Sequence, residues 1–251
     1  MLIKTEGIVI KAMDYDEGSK IITLLTKDKG KVSIVAKGAK KTKSRLNAST
    51  QVFCYGEYIY YLGNQSTMGT LNQADILLNF VDIYHDISKT SYSAYLIELV
   101  DKLTDQNDPN QYLFEQLLLS LININAGKDD EIITRIFEMK LFQIFGYRPH
   151  LQSCAICKKE DDLVAFSVSN GGLICNNHKS INPVILLEPN TIKLLRLFEK
   201  MDIKNLGTIS VGHSTKTQLK LVAEAFYDEY IGIPLKSRNF LDQLIRFEKN
   251  N

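Results

Sequence analysis

The sequence predicts an α+β fold: a small N-terminal barrel of five strands, then an all-α C-terminal domain carrying an inserted metal-binding ribbon. Three observations predict it. Up to about residue 80, apolar residues come in short β-branched and aromatic runs separated by turn residues. Beyond residue 80 the apolar period lengthens to that of a helix. Within the helical part, a Cys-x-x-Cys and a Cys-x-x-His flank a hairpin-like segment. Residues 1–80 are therefore assigned to the barrel, 81–150 and 180–251 to the helical domain, and 151–179 to the ribbon.

The expected strands follow turn chemistry. Ile8-Val9-Ile10 comes after Gly7, and Ile21–Leu25 after the turn Asp14–Gly18. Val32–Ala36 comes after Lys29-Gly30, a tight hairpin signal. Val52–Tyr55 and Tyr58–Leu62 come after a longer loop, and Gly69–Leu71 after Gly63-Asn64. About five strands in this length suggest a small barrel, for which the OB-fold is the known five-strand solution. An SH3-like barrel and a meander packed on the helices are the alternatives.

Charge is distributed unevenly over this segment. Between Asp28 and Glu57 there is no acidic residue, yet the interval holds Lys29, Lys31, Lys37, Lys40, Lys41, Lys43 and Arg45. Such a run, leaving a strand into a loop and interleaved with Ser, Thr and Gly, suits phosphate oxygens. Phe53, Tyr55, Tyr58, Tyr60 and Tyr61 lie just beyond it. Rings beside a basic groove can stack on bases, although aromatics more often fill cores. Lys31, Lys37, Lys40, Lys41, Lys43 and Arg45 are the candidate phosphate-binding residues. The acidic turn Asp14–Glu17 is a poor place for a phosphate. A Gly-rich phosphate loop ending in Lys-Ser/Thr does not occur.

Cys154, Cys157, Cys175 and His178 form the metal motif. Each pair of ligands is two residues apart, so one turn of backbone presents both to one ion, and seventeen residues separate the pairs. That span holds Val164–Val168, then Ser169-Asn170-Gly171-Gly172, then Leu173-Ile174, which reads as a hairpin. A Cys3His set suits tetrahedral Zn2+ and leaves no open position, so the expected role is structural. A redox Cys-x-x-Cys pair would lead into a helix, whereas Lys158–Asp162 reads as a solvated loop.

The helices show as stripes. Tyr92, Tyr95, Leu96, Leu99, Val100 and Leu103 share one face. Asp108-Pro109 is a start signal for the stripe Phe114, Leu117, Leu118, Leu121 and Ile122. Ile133, Ile136, Phe137, Leu141, Ile144 and Phe145 form a third, ended by Gly146 and Pro149. After the ribbon, Pro189 opens a helix with Leu194, Leu195 and Phe198. Leu219, Val222, Ala223 and Phe226 mark another, and Phe240, Leu241 and Leu244 a last one. No stripe carries carboxylates and histidine at metal spacing, and His85, His150 and His213 read as surface or hydrogen-bonded filler.

Net charge is +1, so any basic surface must come from local clustering. No apolar run reaches transmembrane length, and Met1–Glu6 lacks a signal-peptide apolar core. With three cysteines in the motif, Cys54 is left as a small buried hydrophobe, as in a reducing cytoplasm.

Four stretches carry a resemblance: Lys20–Thr26 through Gly30–Leu46, the Cys-x-x-Cys…Cys-x-x-His module, Tyr112–Glu115, and Leu235–Leu244. The run Ala36-Lys-Gly-Ala-Lys-Lys-Thr-Lys-Ser-Arg-Leu46 is the most specific. Along essentially its whole length the chain resembles the RecO family of bacterial DNA repair and recombination mediators. The resemblance implies an N-terminal OB-fold and a helical C-terminal domain with a zinc finger. It implies a non-enzymatic role in the RecF pathway: binding single- and double-stranded DNA and annealing complementary strands. The implied partners are RecR and the acidic C-terminal tail of single-strand-binding protein (SSB), with recombinase loaded onto SSB-coated strands. The implied location is cytoplasmic and nucleoid-associated. Zinc-bearing relatives commonly have Cys where this chain has His178. Lys216, Lys220, Lys236 and Arg238 are candidate extensions of the DNA surface. The alternative is a protein-docking scaffold, organised by the ribbon, that does not bind DNA.

Overall fold

The computed structural model describes residues 1–63, 66–181, 183–207 and 209–249. Asn64, half of the turn expected before the fifth strand, lies outside them. In chain order the elements are β1 (Leu2–Asp14), β2 (Lys20–Thr26), β3 (Gly30–Ala36), α1 (Leu46–Ser49), β4 (Tyr55–Tyr61), β5 (Met68–Leu78), α2 (Val81–His85), α3 (Ile87–Leu103), α4 (Gln111–Asn125) and α5 (Asp130–Ile144). Then come β6 (Leu163–Ser167), β7 (Gly172–Cys175), β8 (Ile185–Leu186), α6 (Pro189–Lys200), α7 (His213–Tyr230) and α8 (Lys236–Lys249). Two compact units result. One is Met1–Gly127 together with Leu235–Asn251; the other is Lys128–Pro234.

In the first unit the strands close a barrel in the order β1-β2-β3-β5-β4. All pairings are antiparallel except β3 with β5, which closes the barrel in parallel over Ser33–Val35 and Met68–Thr70. This is the OB-like barrel the strand count suggested. Its core packs Val9, Ile22, Leu24, Ile34, Ala36, Cys54, Tyr58, Tyr60 and Leu71. Burying a Tyr requires a partner for its hydroxyl; Tyr58 Oη donates to Ser49 O at 2.8 Å. The β2–β3 turn depends on Gly30, at φ +66°. A Cβ there would lie 2.4 Å from the backbone of Asp108.

The expected strand at Val52–Tyr55 is a turn up to Cys54. Phe53 is left-handed, at φ 76°. This reversal lets Phe53 N donate to Val9 O at 2.8 Å and Val9 N to Cys54 O at 2.9 Å. The contacts fall where the β1–β2 register slips between Val9 and Lys11. Alternation of apolar residues does not separate a turn that plugs a bulge from a strand. β1 and β5 run well beyond their expected apolar runs, and most of β5 past Leu71 is exposed, Ile76, Leu77 and Leu78 included.

α3 and α4 are capped by side chains. Asp86 accepts from Lys89 N ahead of α3, and Asn110 from Leu113 N ahead of α4. The α4 start therefore falls two residues after the expected Asp108-Pro109. α8 is capped from α3: Glu98 accepts from the backbone N–H groups of Lys236 at 3.1 Å and Ser237 at 2.7 Å, and from the Ser237 hydroxyl. A carboxylate here also complements the helix dipole.

In the second unit, Asp129 caps α5, and Pro189 occupies the first turn of α6. Phe226 of α7 packs on Phe142 of α5 with ring centroids 5.0 Å apart, and on Phe166 of β6 at 6.1 Å. The ribbon is a sheet in the order β7-β6-β8. Its turn uses the expected Asn-Gly: Gly171 is at φ +63° and its N–H donates to Val168 O at 2.9 Å. Among the described residues, no helix is long and apolar enough to cross a membrane.

Candidate nucleic-acid interface and metal centre

The metal motif is assembled as its spacing predicts. Cys154 and Cys157 lie in a tight turn where Lys158 N donates to Cys154 O at 2.9 Å and Cys154 N to Lys159 O at 2.7 Å. Closing this knuckle puts Lys158 in the left-handed region at φ 65°. Cys175 ends β7 and His178 ends the short 3-10 turn Asn176–His178. The four ligand atoms all lie within 4.8 Å of one another. Cys157 Sγ is 3.7 Å from Cys175 Sγ, and His178 Nδ1 is 3.3 Å from Cys175 Sγ and 3.7 Å from Cys154 Sγ.

These separations fit a tetrahedral ion. With metal–sulfur bonds of about 2.3 Å and metal–nitrogen bonds of about 2.0 Å, S···S comes to about 3.8 Å and S···N to about 3.5 Å. The cluster can therefore hold a metal ion. Burial pushes the Cys154 thiol up. The amides of Cys157, Cys175 and Ile156 outweigh burial and hold it below the ordinary thiol range, which favours the thiolate a metal needs. Cys154, Ala165, Ile174 and Cys175 form a small apolar core beside the ligands. His150 is hydrogen-bonded filler: its Nε2 lies 2.7 Å from Ser153 Oγ.

The basic segment falls into two groups. Lys37, Lys41, Lys43 and Arg45 are exposed, on a loop of successive turns between β3 and α1. Turn bonds shape the loop, Lys41 N donating to Gly38 O at 3.1 Å and Ser44 N to Lys41 O at 2.8 Å. Lys40 is half-buried. Its backbone N–H donates to Gly18 O at 3.0 Å, and its Nζ pairs with Asp14 at 2.8 Å. It pins the loop to the acidic β1–β2 turn and is partly neutralised there. Asp16 in that turn is held below the usual carboxylate range, first by the Gly18 N–H and then by Ser19.

Lys31 stands apart from both groups. Its side chain is 9% exposed, and its Nζ bonds Asp101 O at 2.5 Å and Asp101 Oδ1 at 3.2 Å. A buried ammonium needs such partners, and one bound this way is withdrawn from any external phosphate. Of the nearby rings, Phe53, Tyr58 and Tyr60 are buried in the barrel, and Tyr55 Oη donates to Glu6 at 2.6 Å. Tyr61 is 58% exposed. Of the proposed extensions, Lys216 pairs with Asp129 at 2.5 Å, and Lys220 with Glu224 at 3.7 Å.

Two family models match the chain: "Recombination protein O N terminal" over residues 1–80 and "Recombination protein O C terminal" over residues 84–239. The protein named DNA repair protein RecO in Bacillus cereus (strain B4264) is 43% identical over 249 residues, covering 99% of this chain and 100% of that protein. Proteins of the same name from Bacillus mycoides (strain KBAB4) and Bacillus anthracis (strain CDC 684 / NRRL 3495) match with the same identity and coverage.

Proposed function

This chain belongs to the RecO family of DNA repair proteins, and from that premise we propose that it is a non-enzymatic recombination mediator. It binds single- and double-stranded DNA through the loop after β3, anneals complementary strands, and helps load recombinase onto SSB-coated DNA. RecR and the acidic C-terminal tail of SSB are its protein partners. The bacterial cytoplasm, at the nucleoid, is where it acts.

One observation carries the DNA-binding part: Lys37, Lys41, Lys43 and Arg45 stand exposed together on one loop of the barrel. Cations so placed neutralise phosphates and release condensed counterions, which gives sequence-independent affinity. Annealing needs that neutralisation while the bases stay free to pair. Burial of Tyr58 and Tyr60 in the core fits a surface that holds backbones and does not stack on bases. Lys40 serves by fixing the loop against Gly18 and Asp14.

For the ribbon, the proposed ion is Zn2+, held by Cys154, Cys157, Cys175 and His178 in a closed structural site. The ligand separations and the soft donor set support it. Zinc there supplies folding energy to a small module and no chemistry on a substrate.

The test is an annealing assay with complementary oligonucleotides, comparing the wild-type protein with the Lys41→Glu/Lys43→Glu/Arg45→Glu variant. Slower annealing and weaker strand binding are expected from the variant. Equal rates at equal salt would remove the loop from the function.

A further inference from the structure

The four ligands of the ribbon are unequally protected. Cys154 and Cys175 are 0% and 1% exposed, and His178 is half-buried. Cys157 is exposed to solvent. It lies in the knuckle turn beside Lys158, whose Nζ donates back to Ala155 O at 3.0 Å. Its sulfur is 3.7 Å from that of Cys175. The fourth cysteine, Cys54, is buried in the barrel core. One soft nucleophile is thus open to a small oxidant, with a second thiol in reach behind it.

From this asymmetry we propose that Cys157 is a site of oxidation by hydroperoxides, and that a Cys157–Cys175 disulfide then forms and expels the metal. The proposal rests on the reading of the ribbon as a zinc site. The Cys157 thiolate attacks the O–O bond of hydrogen peroxide, giving a sulfenic acid and hydroxide. The Cys175 thiolate attacks that sulfur: an S–S bond forms, the S–O bond breaks, and a second hydroxide leaves. Two electrons pass from the pair of sulfurs to the peroxide, and the hydroxides take protons from solvent to become water. Zn2+ leaves with its oxidation state unchanged, because only Cys154 and His178 remain to hold it. The sulfurs must close from 3.7 Å to about 2.05 Å, a shift that a turn and a strand end can absorb.

The experiment uses the full chain and hydrogen peroxide, with a chromogenic chelator reporting zinc. Capping all thiols with an organomercurial first measures the zinc bound. A chain that carries none overturns the zinc reading itself. In a chain that carries one, peroxide is expected to release it with loss of two thiols, and peptide mapping without reductant is expected to link Cys157 to Cys175. The Cys157→His variant keeps a zinc ligand without the thiol, and its release is expected to be slower by about tenfold or more. Zinc retained under peroxide, a Cys154–Cys157 link, or a variant as fast as wild type would overturn the proposal while leaving the zinc site standing. Should Cys157→His not fold, dimedone trapping on the native chain decides: the first adduct falls on Cys157, or the proposal fails.

Discussion

Replacing Lys31 with Met separates a structural lysine from the phosphate-binding ones. Met retains most of the buried stem and removes the ammonium. The side chain is 9% exposed, and its ammonium bonds both the backbone oxygen and the carboxylate of Asp101. Hydrogen bonds to charged groups contribute about 1.5–3 kcal/mol each. Asp101, with its side chain 28% exposed, can recover part of this by hydration. The expected destabilisation is therefore about 2 kcal/mol, read by urea unfolding. The salt dependence of single-strand affinity should stay unchanged. Lys41→Met should do the reverse, leaving stability unaltered and flattening the log–log salt slope by about 0.7. Neutralising Lys37, Lys41, Lys43 and Arg45 together should remove about 2.8 of slope. The reasoning fails if Lys31→Met flattens the slope as much as Lys41→Met does without loss of stability. That result would mean the ammonium leaves Asp101 for a phosphate.

Three further outcomes follow from the packing. Gly30→Ala drives a Cβ to 2.4 Å from the Asp108 backbone, and the variant should lose about 3 kcal/mol or more in a thermal melt. Lys158→Gly relieves a left-handed lysine; a Tm increase corresponding to about 0.5–1 kcal/mol, with unchanged metal content, is expected. Burial raises the Glu98 carboxyl, but the Ser237 hydroxyl, the Ser237 and Lys236 amides and nearby Lys102 bring it net below its ordinary 4.5. A depressed carboxylate contributes stability above its ordinary value and loses it as pH falls through its folded value. Acid unfolding of the first unit should therefore begin below pH 4.5, and Glu98→Gln should blunt that part of the pH dependence.

Local signals were legible where local physics decides. Ligand spacing and Asn170-Gly171 defined the ribbon, because a knuckle and a two-sided turn are written in adjacent residues. Helix stripes such as Leu96, Leu99 and Val100 became buried faces. Burial of Lys31 was not legible: its partner Asp101 is 70 residues away, and nothing near Lys31 announces a carboxylate. β8 escaped notice because two residues of pairing need only the short apolar run Val184–Leu187 before Pro189. Asp108-Pro109 looked like a helix start, but Asn110 two residues on also caps, and its side chain takes the bond from Leu113 N. Phe53 defeated the strand pattern because bulky residues rarely adopt positive φ.

Glu98 grips Lys236 from 138 positions upstream, across the whole span of Lys128–Pro234. A ribosome must therefore finish translating that intervening stretch before the barrel's own neighbourhood acquires its closing piece. Until then the carboxylate on α3 waits without the amides it later caps, and the nascent chain depends on a delayed arrival. Deleting the segment from Leu235 onward should accordingly injure the portion made first and spare the portion made second.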